Sequence, residues 1–208
     1  MPAVAAMSRR VIGIDPGLHG GLGVLDVDKA GELVGVGLLR TPTLPVKRGG
    51  KTRDEYNPEA MRSILAAAVD GRDPSVRGVE VALEAQGARP RQGTASSYKT
   101  GVGFGLWLGL VVGMRVSYRI VAPAVWKQHA GLIGADKRAS RLRAQERFPA
   151  LGVIGPAGEG PAEGLLLAAY VAAPKGPANV SNRVPKRPRP TSNPDSVSLA
   201  PRRQTGGD

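Results

Sequence analysis

Short runs of Val, Leu and Ile, broken by glycine, fill the first forty residues of the chain. Residues 11–15 (VIGID), 21–26 (GLGVLD) and 33–39 (LVGVGLL) are each long enough for one strand, and the Gly-containing reversals between them predict three consecutive β-strands. The period then changes. Residues 58–69 (PEAMRSILAAAV) have helical composition, with Asn57 placed to cap the first turn and Pro58 at the first helical position, where no N–H is needed. Residues 79–83 (VEVAL) form a fourth strand that ends at Glu84. A helix over about residues 102–114 precedes a fifth strand at 118–122, and residues 123–128, 137–148 and 161–172 read as helices. This order of elements is that of the ribonuclease H-like fold, an α/β class with a five-stranded mixed sheet flanked by helices. No repeat of solenoid length is present.

Composition divides the chain. Beyond residue 173 the text turns to Pro, Ser, Asn, Arg and Lys, which cannot bury enough surface to offset ordering, so residues 174–208 are expected to be a disordered basic tail behind one domain over residues 1–173. The tail carries 7 basic against 2 acidic residues and the body 22 against 15, so the formal net charge of +12 belongs to both parts. A polyanionic partner follows, nucleic acid foremost. Cysteine is absent, which removes disulfides, thiolate zinc sites and cysteine nucleophiles together. No run approaches the roughly 20 apolar residues of a membrane helix, and the most apolar stretch, 101–114, contains five glycines. The first ten residues lack a charged segment leading into an apolar core, so no secretory signal is expected and no membrane partner. The expected location is the cytoplasm of a bacterium or a phage-infected cell, with an organelle such as the chloroplast left open.

Candidate chemistry lies at the ends of the elements. Asp15 closes the first strand before a Pro-Gly turn, Glu84 closes the fourth, and Glu159 and Glu163 flank the start expected for the last helix at Gly160-Pro161. In the ribonuclease H-like order the first and fourth strands are neighbours, so Asp15 and Glu84 would face one cleft. Converging carboxylates repel one another unless a cation sits among them. Phosphodiester hydrolysis can be run by two divalent cations about 3.5–4 Å apart, and magnesium, which manganese can replace, favours such hard oxygen ligands. Asp15, Glu84, Glu159 and Glu163 are therefore the candidate metal ligands. Taken singly each has a plainer reading: a turn cap, a strand-end charge, a loop charge, a first-turn acid.

Basic and aromatic residues suggest a binding surface. The loop expected over residues 41–57 holds Lys47, Arg48, Lys51 and Arg53 around a Gly-Gly pair, an arm suited to tracking phosphates. Arg89 and Arg91 follow Glu84 closely enough to lie beside a substrate backbone. Tyr98, next to Lys99 in a polar segment, is the aromatic best placed to stack on an unpaired base. Trp107 and Trp126 sit in apolar surroundings and read as core. His129 is expected to pack on its own helix and His19 to face out of a turn; neither is read as catalytic.

Five blocks of the chain resemble, in order, those of RuvC-type Holliday junction resolvases, in the phage and chloroplast branch. They are VIGIDPGLHGGLGVLD, VALEAQGARPRQGTASSYKTGVGFGLWLGLV, IVAPAVWKQHAGL, DKRASRLRAQERFP and GPAEGLLLAAYVA, and together they run from about residue 10 to 171. The resemblance implies a metal-dependent nuclease domain that nicks four-way DNA junctions in pairs during recombination and repair, as a homodimer with two magnesium ions per site. Asp15, Glu84 and Glu163 match the metal-binding carboxylates. Lys137 matches the basic residue expected near the scissile phosphate, and Arg138 and Arg141 on the same helix join it as candidate DNA contacts. Glu159 departs from the family pattern, which has His or Asp near this place, and its role as ligand or base stays open.

Rival readings remain. A branched-DNA-binding protein that keeps the fold without full activity is the non-enzyme alternative, and Glu159 keeps it open. Sugar-kinase and actin-like ATPases also begin on a strand-Asp-Gly hairpin that holds phosphate. They need a second hairpin and a second lobe, for which 173 residues leave little room. The compact ribonuclease H-like proteins of ribosomal RNA processing are another nuclease-like reading, against which the DKRASRLRAQERFP block argues.

Overall fold

The computed structural model describes residues 7–69, 78–87 and 93–173. Strands β1 (Met7–Asp15), β2 (Gly21–Asp28) and β3 (Leu33–Arg40) form an antiparallel meander, followed by a hairpin, β4 (Thr43–Arg48) and β5 (Lys51–Tyr56). Helix α1 (Pro58–Val69) leads to β6 (Val79–Glu84), α2 (Thr94–Gly113) and β7 (Ser117–Val121). Helices α3 (Pro123–Ala130), α4 (Lys137–Arg147) and α5 (Glu159–Ala172) complete the body. The five-stranded sheet runs β3-β2-β1-β6-β7, with β6 parallel to both β1 and β7. That mixed order is the ribonuclease H-like topology. Residues 174–208 and the Arg89–Arg91 region lie outside the described residues, as do the side chains of Met7, Ser8 and Lys137.

Alternation along the strands builds a core on each face. Ile12, Ile14, Leu22, Val81 and Leu83 pack with Met61 and Leu65 of α1 and Trp107 and Val111 of α2. Val11, Leu25, Ala82 and Val121 face the other way, onto Trp126, Ala144 and the Leu165–Ala169 stretch of α5. Helix α5 is buried at nearly every position, so its apolar residues need not be confined to one stripe. It crosses the sheet at unusually close range. A Cβ on Gly164 would meet the Gly13 carbonyl oxygen at 2.7 Å and the Gly23 nitrogen at 2.9 Å, and one on Gly13 or Gly23 would overlap the α5 backbone. Three glycines thus let helix backbone lie on strand backbone, and that close approach sets the depth of Glu163.

The structure departs from the residue pattern in several places. The segment 41–57 is not a loop but the hairpin β4–β5, closed by Gly49 and Gly50 with φ of 56° and 75°. Two positive φ values in a two-residue connection match strand twist, and glycine adopts them freely. The last helix begins at Glu159, directly after a 3-10 turn over Pro156–Gly158, which puts Glu159 in its first turn and Glu163 one turn deeper. Pro161 does not mark the start, because a first-turn proline forfeits no intrahelical hydrogen bond. Helix α2 begins at Thr94, ahead of the apolar run, and β1 begins at Met7. Asn57 caps α1 as expected, its Oδ1 accepting from the Ala60 amide at 3.1 Å.

Candidate active site

The carboxyl ends of β1 and β6 lie side by side, Ile14 opposite Leu83, so the next residues, Asp15 and Glu84, reach the same edge of the sheet. The chain must reverse there, and Pro16-Gly17 turns it away. The Gly17 amide donates to Asp15 Oδ1 at 3.0 Å, and a Cβ on Gly20 would collide with the Asp15 carbonyl and lie 2.9 Å from its Cγ. Turn shape and carboxylate orientation are therefore one geometric fact.

Glu84 is buried, and both its oxygens are held: Oε1 accepts from the Trp126 indole N–H at 3.0 Å and Oε2 from the Gln86 side-chain Nε2 at 2.9 Å. Burial pushes its pKa up to about 7, the negative charge of Asp15 adds to the rise, and Glu163 adds further; the Trp126 hydrogen bond and Lys127 oppose it. Glu163, also buried, accepts from Ser140 Oγ at 3.0 Å through Oε1, and the same oxygen lies 3.4 Å from Lys127 Nζ. Asp15, Glu84 and Glu163 therefore share one electrostatic field. Glu159 lines a cavity of about 280 Å³ with His19, Arg40, Thr41 and Asp54.

The three carboxylates, Glu84 and Glu163 buried and Asp15 half-buried, offer hard, anionic oxygens, and that donor chemistry fits magnesium or manganese. Among the described residues, no three carboxylate or imidazole groups close around a single point. The oxygens of Glu84 and Glu163 are instead held by Trp126, Gln86, Ser140 and Lys127.

The basic candidates spread around this edge. Lys47, Arg48, Lys51 and Arg53 are exposed on the hairpin, and the pairings Arg48↔Lys51 and Val46↔Arg53 put three of the four cations on one face. Arg48 pairs with Glu55 at 3.3 Å. Tyr98 is 73% exposed near the start of α2, beside Lys99, at a cleft of about 480 Å³ shared with Tyr56, Arg53 and Leu18. Lys137 opens α4, whose N-cap is Asp136, its side chain accepting from the Ala139 amide at 2.9 Å. Arg138 is exposed, whereas Arg141 is half-buried and donates to the Ile154 carbonyl at 3.2 Å. His19 is exposed. His129 stands edge-on to Tyr170 of α5, with centroids 5.4 Å apart.

The residue pattern does not reveal Trp126 as a partner of Glu84, Lys127 and Ser140 as partners of Glu163, or Tyr56. One signal was available for Trp126 and Lys127. A helix starting directly after β7, at the same edge of a parallel pair, must aim its first turns at the ends of the neighbouring strands.

The sheet order is that of a ribonuclease H-like fold, with Asp15 and Glu84 at the carboxyl ends of its central parallel strands. No protein-family model matches the chain, and no curated protein matches it. Two solved structures of Thermus thermophilus RuvC are similar to it. One, in complex with Holliday junction substrate, is 21% identical with a TM-score of 0.48, covering 78% of this chain and 94% of its own. The other is 22% identical with a TM-score of 0.49, covering 78% and 95%.

Proposed function

We propose that the protein is a divalent-metal-dependent endonuclease that cuts branched DNA, four-way junctions first. The observation that carries this reading is the field shared by Asp15, Glu84 and Glu163 at the ends of two parallel strands. A buried carboxylate pushed up to about 7 by burial and acidic neighbours is charge awaiting a cation or proton. Asp15, Glu84 and Glu163 would hold the metal, with Glu159 within one helical turn. When bound, magnesium supplies activation of water and neutralisation of charge on the phosphate. The chain's own residues do the rest. Trp126 and Gln86 fix the Glu84 oxygens, Ser140 fixes Glu163, and the Pro16-Gly17 turn leaves the cleft open to a phosphodiester.

The formal net charge of +12 and the exposed cations of the hairpin support a nucleic-acid substrate. The resemblance of the five sequence blocks to junction resolvases supports the four-way junction as substrate, and paired nicks on a twofold substrate call for two sites, hence a homodimer. The test is a synthetic four-way junction with magnesium, cut by wild type and by Asp15→Asn. Symmetric nicks lost in the variant, with junction binding retained, support the reading. A junction bound equally by both and cut by neither overturns it in favour of a binding protein.

A further inference from the structure

The hairpin β4–β5 is a separate two-stranded sheet. Such a ribbon has little stability alone, so its mounting matters. Both stems are tied to the same short turn. Thr41, just before β4, donates its amide to the Gly20 carbonyl at 3.1 Å. Tyr56, the last residue of β5, donates its hydroxyl to the Pro16 carbonyl at 3.2 Å. The hairpin thus grips both ends of the turn that follows Asp15. Helix α2 backs the phenol: a Cβ on Gly103 would overlap both the Tyr56 hydroxyl and the Pro16 carbonyl oxygen. Burial pushes the Tyr56 phenol up to about 12, and the Asp15 charge contributes, as expected for a neutral hydroxyl close to that carboxylate. The same hairpin carries Lys51 beside its turn and Arg53 midway along β5, both exposed and without an ion pair among the described residues.

We propose that Tyr56 is a positioning residue that couples the hairpin's hold on the DNA backbone to the orientation of the Asp15 carboxylate. The inference rests on the nuclease reading above and adds to it a route from binding to the site. A phosphate backbone drawn to Lys51 and Arg53 loads the ribbon. Thr41 and Tyr56 pass that load to Gly20 and Pro16, and the tight turn carries it to Asp15.

Two readouts on the whole chain test this. In metal-free buffer, hydrogen exchange at the Gly17, Gly20 and Thr41 amides is followed with and without a four-way junction. With magnesium, single-turnover cleavage is timed at saturating protein. Junction binding should slow exchange at these amides about tenfold in the wild type, within the usual range of site–site coupling. Tyr56→Phe should bind the junction as tightly as the wild type yet lose the slowing, and should cleave about tenfold more slowly. A Tyr56→Phe protein with both readouts unchanged and only a lower melting temperature overturns the proposal, since the hydroxyl would then be purely structural. Should Tyr56→Phe fail to fold, the exposed double variant Lys51→Ala/Arg53→Ala decides. The coupling requires its turn amides to stay unprotected even at saturating junction, and full protection there overturns it. Wild type that cuts junctions without protecting the turn also refutes the coupling while the nuclease stands. Protection without cutting refutes the nuclease and supports the coupling.

Discussion

The Trp126 indole N–H points at Glu84 Oε1 across 3.0 Å, joining the largest side chain of one core to the acidic cleft. Trp126 is 1% exposed, so its donor has no water to turn to, and the bond fixes ring and carboxylate together. Lys127, the next residue, stands 5.1 Å from the same ring centroid and reaches Glu163. One turn of α3 therefore touches two of the three carboxylates at this edge.

Glu84 should make stability depend on pH in an unusual direction for a carboxylate. Its folded pKa, about 7, lies above the ordinary 4.5, so the protonated acid is favoured by folding. Its stabilising effect is complete below the ordinary value and is lost as pH rises through 7. The full loss is on the order of 3 kcal/mol. Denaturant unfolding in EDTA should show the wild type weaker at pH 8 than at pH 5, and Glu84→Gln should flatten that difference. An equal slope in Glu84→Gln would assign it to other groups.

A divalent cation should reverse the same trend. Neutralising the carboxylates stabilises the folded state by mass action, so magnesium should raise the melting temperature at pH 8 and hardly change it at pH 5, where protons compete. Lys127→Gln removes the ammonium that already compensates Glu163. The variant should be less stable in EDTA and gain more from magnesium than the wild type. Identical gains would show that the ammonium and the cation do not share the site.

Asp15 and Glu84 were legible because strand ends are legible. Residues 11–15 and 79–84 read as strands that stop at an acid, and the fold order makes them neighbours. The hairpin was not, because Lys47, Arg48, Lys51 and Arg53 gave it no apolar alternation and Pro45 argued against a strand. Its one signal was the Gly49-Gly50 pair, which fits a flexible arm as readily as a tight turn. The early start of α2 was hidden by Thr, Ser and Gly, whose weak propensity is overridden by packing further along the helix. Tyr56, Trp126 and Lys127 owe their roles to crossings between elements far apart in sequence, which no local pattern encodes.

The close crossing of α5 should tolerate no added methyl. Gly164→Ala would place a carbon 2.7 Å from the Gly13 carbonyl oxygen, and the atoms it meets are backbone that cannot rotate away. The helix must lift, at a cost of about 1–3 kcal/mol or more. Urea unfolding measures the loss directly. Because Glu163 rides on the same helix, junction cleavage should fall further than the population of folded protein explains. An activity loss that tracks unfolding alone would detach Glu163 from the crossing.

The hairpin cations should act on DNA affinity unequally. Removing one side chain that neutralises a phosphate lowers the dependence of binding on salt by about one unit of log–log slope, whatever the sequence of the arms. Lys51→Ala and Arg53→Ala should each show that full decrement in junction titrations across salt. Arg48→Ala should show less, because its guanidinium is already paired with Glu55 at 3.3 Å and must give up that partner to reach a phosphate. Lys47 lies on the opposite face of the ribbon from these three, paired with Thr52 in the register. If DNA lies along one face, Lys47→Ala should leave the slope unchanged, and a decrement equal to that of Lys51 would mean that the duplex wraps the hairpin instead.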